Sequence, residues 1–141
     1  MSQSRLANRE KEEVNTLIEQ RVGPTRPVVL RRPDWRVTRD RSIMYFLTFS
    51  REDQRFYDVN ENDLAEWLQY ERSFVVLVMG SARDTFIIPV SVLARHLKNQ
   101  KPKQGGNFKL HIIDESGKYK LRELGRLDLS EFHNNYAALT P

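Results

Sequence analysis

Apolar positions recur along the chain at two spacings, one of about three to four residues and one of two, which separate helices from strands. In residues 4–21 the apolar side chains Leu6, Val14, Leu17 and Ile18 form a thin stripe in a charged segment. Ser4 stands ready as a cap and Gly23-Pro24 as a stop, so a helix is expected, with residues 1–22 as its unit. So narrow a stripe suits weak docking, pairing with another chain, or a solvated leader. From Ile43 the pattern is regular. Residues 42–50 are aromatic and β-branched and read as a strand, and residues 55–59 return beside it after a polar turn at 51–54. Asn60 caps a helix over 61–70 whose buried face is Leu64, Trp67 and Leu68, with Asp63 near its positive end. The unbroken apolar run at 73–80 predicts a central strand covered on both faces, and 84–88 its neighbour. Pro89 opens a helix over 90–98. In 108–113, Phe108, Leu110 and Ile112 share one face while Lys109, His111 and Ile113 share the other. Residues 118–124 pair back, and 127–139 read as a closing helix capped by Asp128 or Ser130.

This order predicts an α+β core over residues 42–141: one mixed, mostly antiparallel sheet of about six strands in three hairpins, with helices packed on it. Between the N-terminal helix and that core, residues 23–41 hold three prolines together with Arg26, Arg31, Arg32, Arg36, Arg39 and Arg41. Each proline removes an amide donor and disfavours helix before it, so the segment reads as an extended basic arm over the surface. Trp35, between Arg32 and Arg36, either anchors the arm or stacks on a base.

Charge sharpens this picture. The net charge is only +4. Yet residues 21–55 hold nine Arg/Lys against four Asp/Glu, residues 95–126 nine against three, and the remainder five against twelve. Such segregation is the footprint expected of a polyanion binder. Besides the arm, the candidate phosphate contacts are Lys101 and Lys103 in a basic, glycine-containing loop, Lys109 on the following strand, and Lys118, Lys120 and Arg122. Alternation would set those last three along one face of a strand.

Signatures of catalysis are sparse. No phosphate-binding glycine loop occurs, and His96, His111 and His133 have no metal-binding spacing. With no cysteine, neither disulfides nor a thiolate metal site can form, which fits a cytoplasmic protein of a prokaryote or phage. No signal peptide is apparent, and no apolar run approaches the roughly 20 residues that cross a bilayer. No cofactor or resident metal is expected.

The run Phe74-Val75-Val76-Leu77-Val78, a polar turn, Phe86-Ile87-Ile88-Pro89, a helix, and Phe108-Lys109-Leu110-His111-Ile112 resembles the central part of PD-(D/E)XK nuclease-like domains over residues 73–113. The defining Asp and Glu-x-Lys on adjacent strands are missing, so the resemblance implies a recognition-only member, such as the specificity part of a restriction system. The leading expectation is a nucleic-acid-binding domain, with DNA favoured over RNA, in a restriction or mobile-element system. It requires the arm and the 101–107 loop to lie on one face. The alternatives are a protein-interaction adaptor or homo-oligomer using helix 4–21 and the acidic helix 61–71, and a small metal-dependent nuclease using Asp58, Asp63 or Asp84.

Overall fold

A computed structural model describes residues 3–140. The chain runs α1 (Gln3–Val22), β1 (Thr25–Val29), β2 (Arg32–Thr38), β3 (Ile43–Ser50), β4 (Phe56–Asn60), α2 (Glu61–Trp67), β5 (Arg72–Met79), β6 (Thr85–Pro89), α3 (Val90–Leu97), β7 (Asn107–Glu115), β8 (Lys118–Leu121) and β9 (Leu127–Asp128). Five strands form a first sheet in the order β1-β2-β3-β5-β6, and four form a second in the order β4-β7-β8-β9. Strands β3 and β5 are parallel, while every other strand pair is antiparallel. The α+β class, the mixed sheet and the N-terminal helix are as expected.

Alternation on the central strands sorts side chains into two cores. Ile43, Tyr45 and Leu47 of β3 pack with Phe74, Val76 and Val78 of β5 beneath α1. Met44 with Val75, Leu77 and Met79 faces the second sheet, α2 and α3. Strand β5 is therefore covered on both faces, as its unbroken apolar run requires. Helix α1 is integral to the first of these cores. Val14 and Ile18 are fully buried, and each contributes about 1.5–3 kcal/mol by leaving water. The buried Glu10 accepts the Ala82 amide at 3.0 Å and Arg9 at 3.0 Å, so its charge is compensated. The Tyr45 hydroxyl is bonded to Asn15 of α1, and burial pushes it up to about 12.

Four expectations change. Residues 23–41 do not form a free arm: Thr25–Val29 and Arg32–Thr38 make a hairpin that joins the first sheet through β3. Pro27 lies on the edge strand, and Pro33 lies where the register slips between the Pro27 and Val29 pairings, places where a missing donor is tolerated. Residues 55–59 do not return onto 42–50. Both sides of β3 are taken by β2 and β5, while the Ser50 hydroxyl accepts the Phe56 amide at 2.9 Å and Arg55 adopts a left-handed φ of 51°. The turned strand pairs with β7 instead, which gives nine strands in two sheets among the described residues rather than six on one. Residues 127–139 are not an α-helix. The Asp128 carboxylate accepts the Ser130 amide at 2.8 Å and Asn134 adopts a φ of 53°, both incompatible with a continuous helix. Asn134 instead exchanges bonds with the backbone of Thr85 and covers the β6 edge. Finally, β8 stops at Leu121, so Arg122 belongs to a 3-10 turn and not to a strand.

Ile18→Ala should cost roughly 2–5 kcal/mol in urea unfolding, the range for a buried aliphatic truncated to alanine. A loss below about 0.5 kcal/mol, the level of an exposed substitution, would show that α1 is not part of the core.

Candidate nucleic-acid interface

The first turn of α2 lies between two basic elements. On one side the Asn60 amide donates to the Gly105 carbonyl at 3.0 Å and to Asn107 Oδ1 at 3.1 Å, which fixes the loop carrying Lys101 and Lys103. That loop closes through the Lys103 amide on the Asn107 carbonyl at 2.7 Å and needs glycine at 106. Its φ is +80° there, and a Cβ would lie 3.3 Å from Glu61. Three residues along the helix, Asp63 accepts Arg32 of the hairpin at 3.3 Å. The arginine hairpin and the 101–107 loop thus flank a single helical turn. Asn60 itself accepts the Asn62 amide at 2.9 Å, as its capping role predicts.

Behind the loop, the outer face of the second sheet opens into a cavity of about 740 Å3 lined by Phe56, Lys103, Lys109, His111, Arg122 and Glu123. Alternation explains the lining: Phe108, Leu110 and Ile112 point into the core, leaving Lys109 and His111 outward, and Phe56 stands opposite His111 on β4. Glu123 organises this site. Its Oε1 accepts the His111 amide at 2.7 Å, and its Oε2 lies 2.6 Å from His111 Nδ1 and 3.0 Å from Arg122 Nη2. With Nδ1 donating to Glu123, the close approach of Arg122 Nη2 to the same nitrogen at 3.0 Å is a packing contact, since that lone pair is not free. Partial burial works to raise the Glu123 carboxyl, but the donors from His111 outweigh it and hold it below its ordinary value.

The remaining candidates divide by ion pairing. Lys109 pairs with Asp58 at 3.0 Å, Lys120 with Glu115 at 3.1 Å and Lys118 with Asp128 at 3.6 Å. Of the three-cation track expected along 118–122, Lys118 and Lys120 are therefore neutralised within their own sheet, and Arg122 pairs with Glu123 at 3.0 Å. Among the described residues Arg26, Arg31, Arg39, Lys101 and Lys103 form no ion pair. Arg36, Arg39 and Arg41 are not gathered with this site. Arg36 donates to the Thr25 carbonyl of β1 at 2.9 Å and lies 4.0 Å from Glu19 of α1, and Arg41 lies over Tyr70. Arg39 lines a separate cavity with Arg21. Trp35 is buried, edge-on to Trp67 with ring centroids 5.4 Å apart, so it anchors and offers no face to a base.

Sequence reasoning missed Phe56, His111 and Glu123 as lining residues. The signal was present for two of them: alternation set His111 beside Lys109, and Phe56 precedes Asp58 by one strand period. Glu123 carried none, because only the 3-10 turn folds it back onto β7. The carboxylates considered for a metal are dispersed, with Asp58 on Lys109, Asp63 on Arg32 and Asp84 on His133 at 2.9 Å. No known protein family matches the chain, and no curated protein or solved structure matches it.

Because folding lowers the Glu123 pKa, its pairing stabilises the fold above its unfolded value, near 4.5, and is lost as pH falls through the depressed folded value. The difference in Tm between the wild type and Glu123→Gln should be largest near neutrality and shrink below pH 4.5. A difference constant down to pH 3 would mean that Glu123 is not the organising group.

Proposed function

We propose that the protein is a non-catalytic recognition domain that binds duplex DNA through the surface flanking α2. The observation that carries this reading is the convergence of Lys103, Lys109 and Arg122, from a loop, a strand and a turn, on one cavity one helical turn away from the arginine hairpin. Cations delivered by separate elements to one concave surface suit a phosphate backbone. Single strands are generally held by bases stacking on open aromatic rings. Here Trp35 is buried and Phe56 is covered by Lys109, 4.8 Å from the ring centre, so a duplex read through its phosphates is the better match. Such a domain suits the recognition part of a restriction or mobile-element system. An adaptor that pairs through α1 is less well supported, because Val14 and Ile18 are spent inside this chain.

Fluorescence anisotropy with labelled duplex DNA, single-stranded DNA and RNA at 50 and 200 mM salt tests the proposal. Duplex DNA should bind tightest, with affinity falling steeply as salt rises. Lys103→Ala, Lys109→Ala and Arg122→Ala should each lower the slope of log K against log salt by about one. Absence of saturable binding at 50 mM salt overturns the proposal and favours a protein partner.

A further inference from the structure

Glu123 fixes one edge of the His111 ring and leaves the other open. The carboxylate accepts the His111 amide at 2.7 Å through Oε1 and Nδ1 at 2.6 Å through Oε2, so backbone and ring are tied to one side chain. Phe56 packs beside the ring, with centroids 5.0 Å apart. Nε2 has no hydrogen-bond partner among the described residues, and the side chain, 31% exposed, lines the cavity. Nε2 is therefore the ring nitrogen left for a ligand.

The charges around that ring come from several elements. Strand β7 itself supplies Lys109, the 3-10 turn Arg122 and Glu123, the 101–107 loop Lys103, and β4 Asp58, which pairs with Lys109 at 3.0 Å. Lys120 of β8, opposite the neighbouring Ile113, is held by Glu115, and Arg55 turns over Tyr119. From the end of α3 comes only the neutral Gln100, donating to the Glu123 carbonyl at 2.6 Å. Lys103, Lys109 and Arg122 against Asp58 and Glu123 leave the site one positive charge in excess. That excess opposes a proton on His111 until an anion arrives, and a bound phosphate reverses the balance. Geometry acts in the same direction. With Nδ1–H donated to Glu123, a neutral imidazole offers a phosphate oxygen only the Nε2 lone pair, which repels it. Imidazolium offers an N–H at the same place and makes a charge-assisted bond.

We infer that His111 contacts the DNA phosphate through Nε2 as imidazolium, held in place by Glu123, so that binding takes up a proton from solvent at this cavity. The inference rests on the DNA-binding reading above and adds to it a fourth cation that forms together with the complex. Histidine is the side chain whose charge changes between about pH 5 and 8. Because the bound form keeps its proton to higher pH than the free form, affinity rises as pH falls through that range. The added cation also displaces a further counterion, so the dependence on salt steepens at the acid end. A ring that only braced β7 against the turn would change neither. Glu123 acts as a positioning residue: it fixes which nitrogen faces the ligand, and its charge favours the imidazolium.

The test is anisotropy with the full chain and a labelled duplex from about pH 5.5 to 8.0 at two salt concentrations, with circular dichroism at each pH to confirm the fold. The wild type should bind about tenfold tighter at the acid end, with a salt slope steeper there by about one. His111→Gln keeps a side-chain N–H but takes no charge. It should reduce the ratio of affinities to below about twofold and equalise the two salt slopes. Glu123→Gln should move the step to lower pH without abolishing it, and an unmoved step overturns its positioning role. His96→Gln and His133→Gln should keep the wild-type profile; if either flattens it, the proton is taken up elsewhere and the inference falls. A wild type that binds equally at every pH, yet loses affinity on Lys103→Ala, overturns the role of His111 while the DNA-binding reading stands. If no duplex binds at any pH, both fall.

Discussion

The parallel pairing of β3 with β5 is the constraint from which the rest of the architecture follows. Eight residues of each strand are in register, from Ile43↔Arg72 to Ser50↔Met79, and both faces are buried. Parallel strands cannot be joined by a tight turn, so the chain must leave the sheet and return through a crossover. Here that crossover is β4 and α2. It carries β4 out to found the second sheet with β7, and it sets α2 against the core opposite α1. The position of the α2 first turn, and with it the hairpin and loop that flank it, is thus a consequence of how two central strands are connected.

Charge acts at a shorter range than its distribution along the chain suggests. The basic stretch 95–126 folds so that Lys109, Lys118, Lys120 and Arg126 each meet a carboxylate. Exposed pairs of this kind contribute about 0–1 kcal/mol, so exchanging a carboxylate for a phosphate is a nearly balanced step. Glu123 differs, because a backbone amide, an imidazole and a guanidinium hold it together, and it stays in place as the scaffold of the cavity. Lys101, Lys103, Arg26 and Arg31 meet no carboxylate among the described residues, so a phosphate contact there would need no such exchange.

Much of the fold was legible because it rested on period. The two-sided burial of β5, the alternation of β7 and the Asn60 cap all followed from side-chain chemistry within a few residues. What stayed hidden depended on partners far along the chain. Residues 55–59 carry a correct strand pattern, but nothing local says that the partner is β7 rather than β3. Pro27 and Pro33 read as an extended arm over the surface, and the hairpin's edge position and slipped register are what accommodate their missing donors in a strand. The tail 127–139 has helical spacing, yet its Asp128 and Asn134 side chains compete for backbone amides, and the edge of β6 rewards Asn134 for doing so. At the site, the same limits apply: the strand-borne Lys109 and His111 could be placed on one face, whereas Arg36 and Arg41 took orientations set by α1 and by Tyr70.

The base of the hairpin is held by aromatic packing. Phe46 stacks on Trp67 with centroids 4.9 Å apart, and Trp35 meets the same indole edge-on. Aromatic pairs of this geometry add about 0.5–1.5 kcal/mol each beyond burial. The cluster carries a cost, for the Trp67 indole N–H is buried with no acceptor among the described residues, worth roughly 1–3 kcal/mol. Packing against the Trp35 and Phe46 rings offsets that cost and fixes the base of the hairpin against the sheet. A segment already fixed in this way surrenders little conformational entropy on binding, so contacts at its tip convert more fully into affinity than those of a flexible arm. Folding the arginine-rich segment into a hairpin therefore gives its side chains a defined position that a loose arm would not.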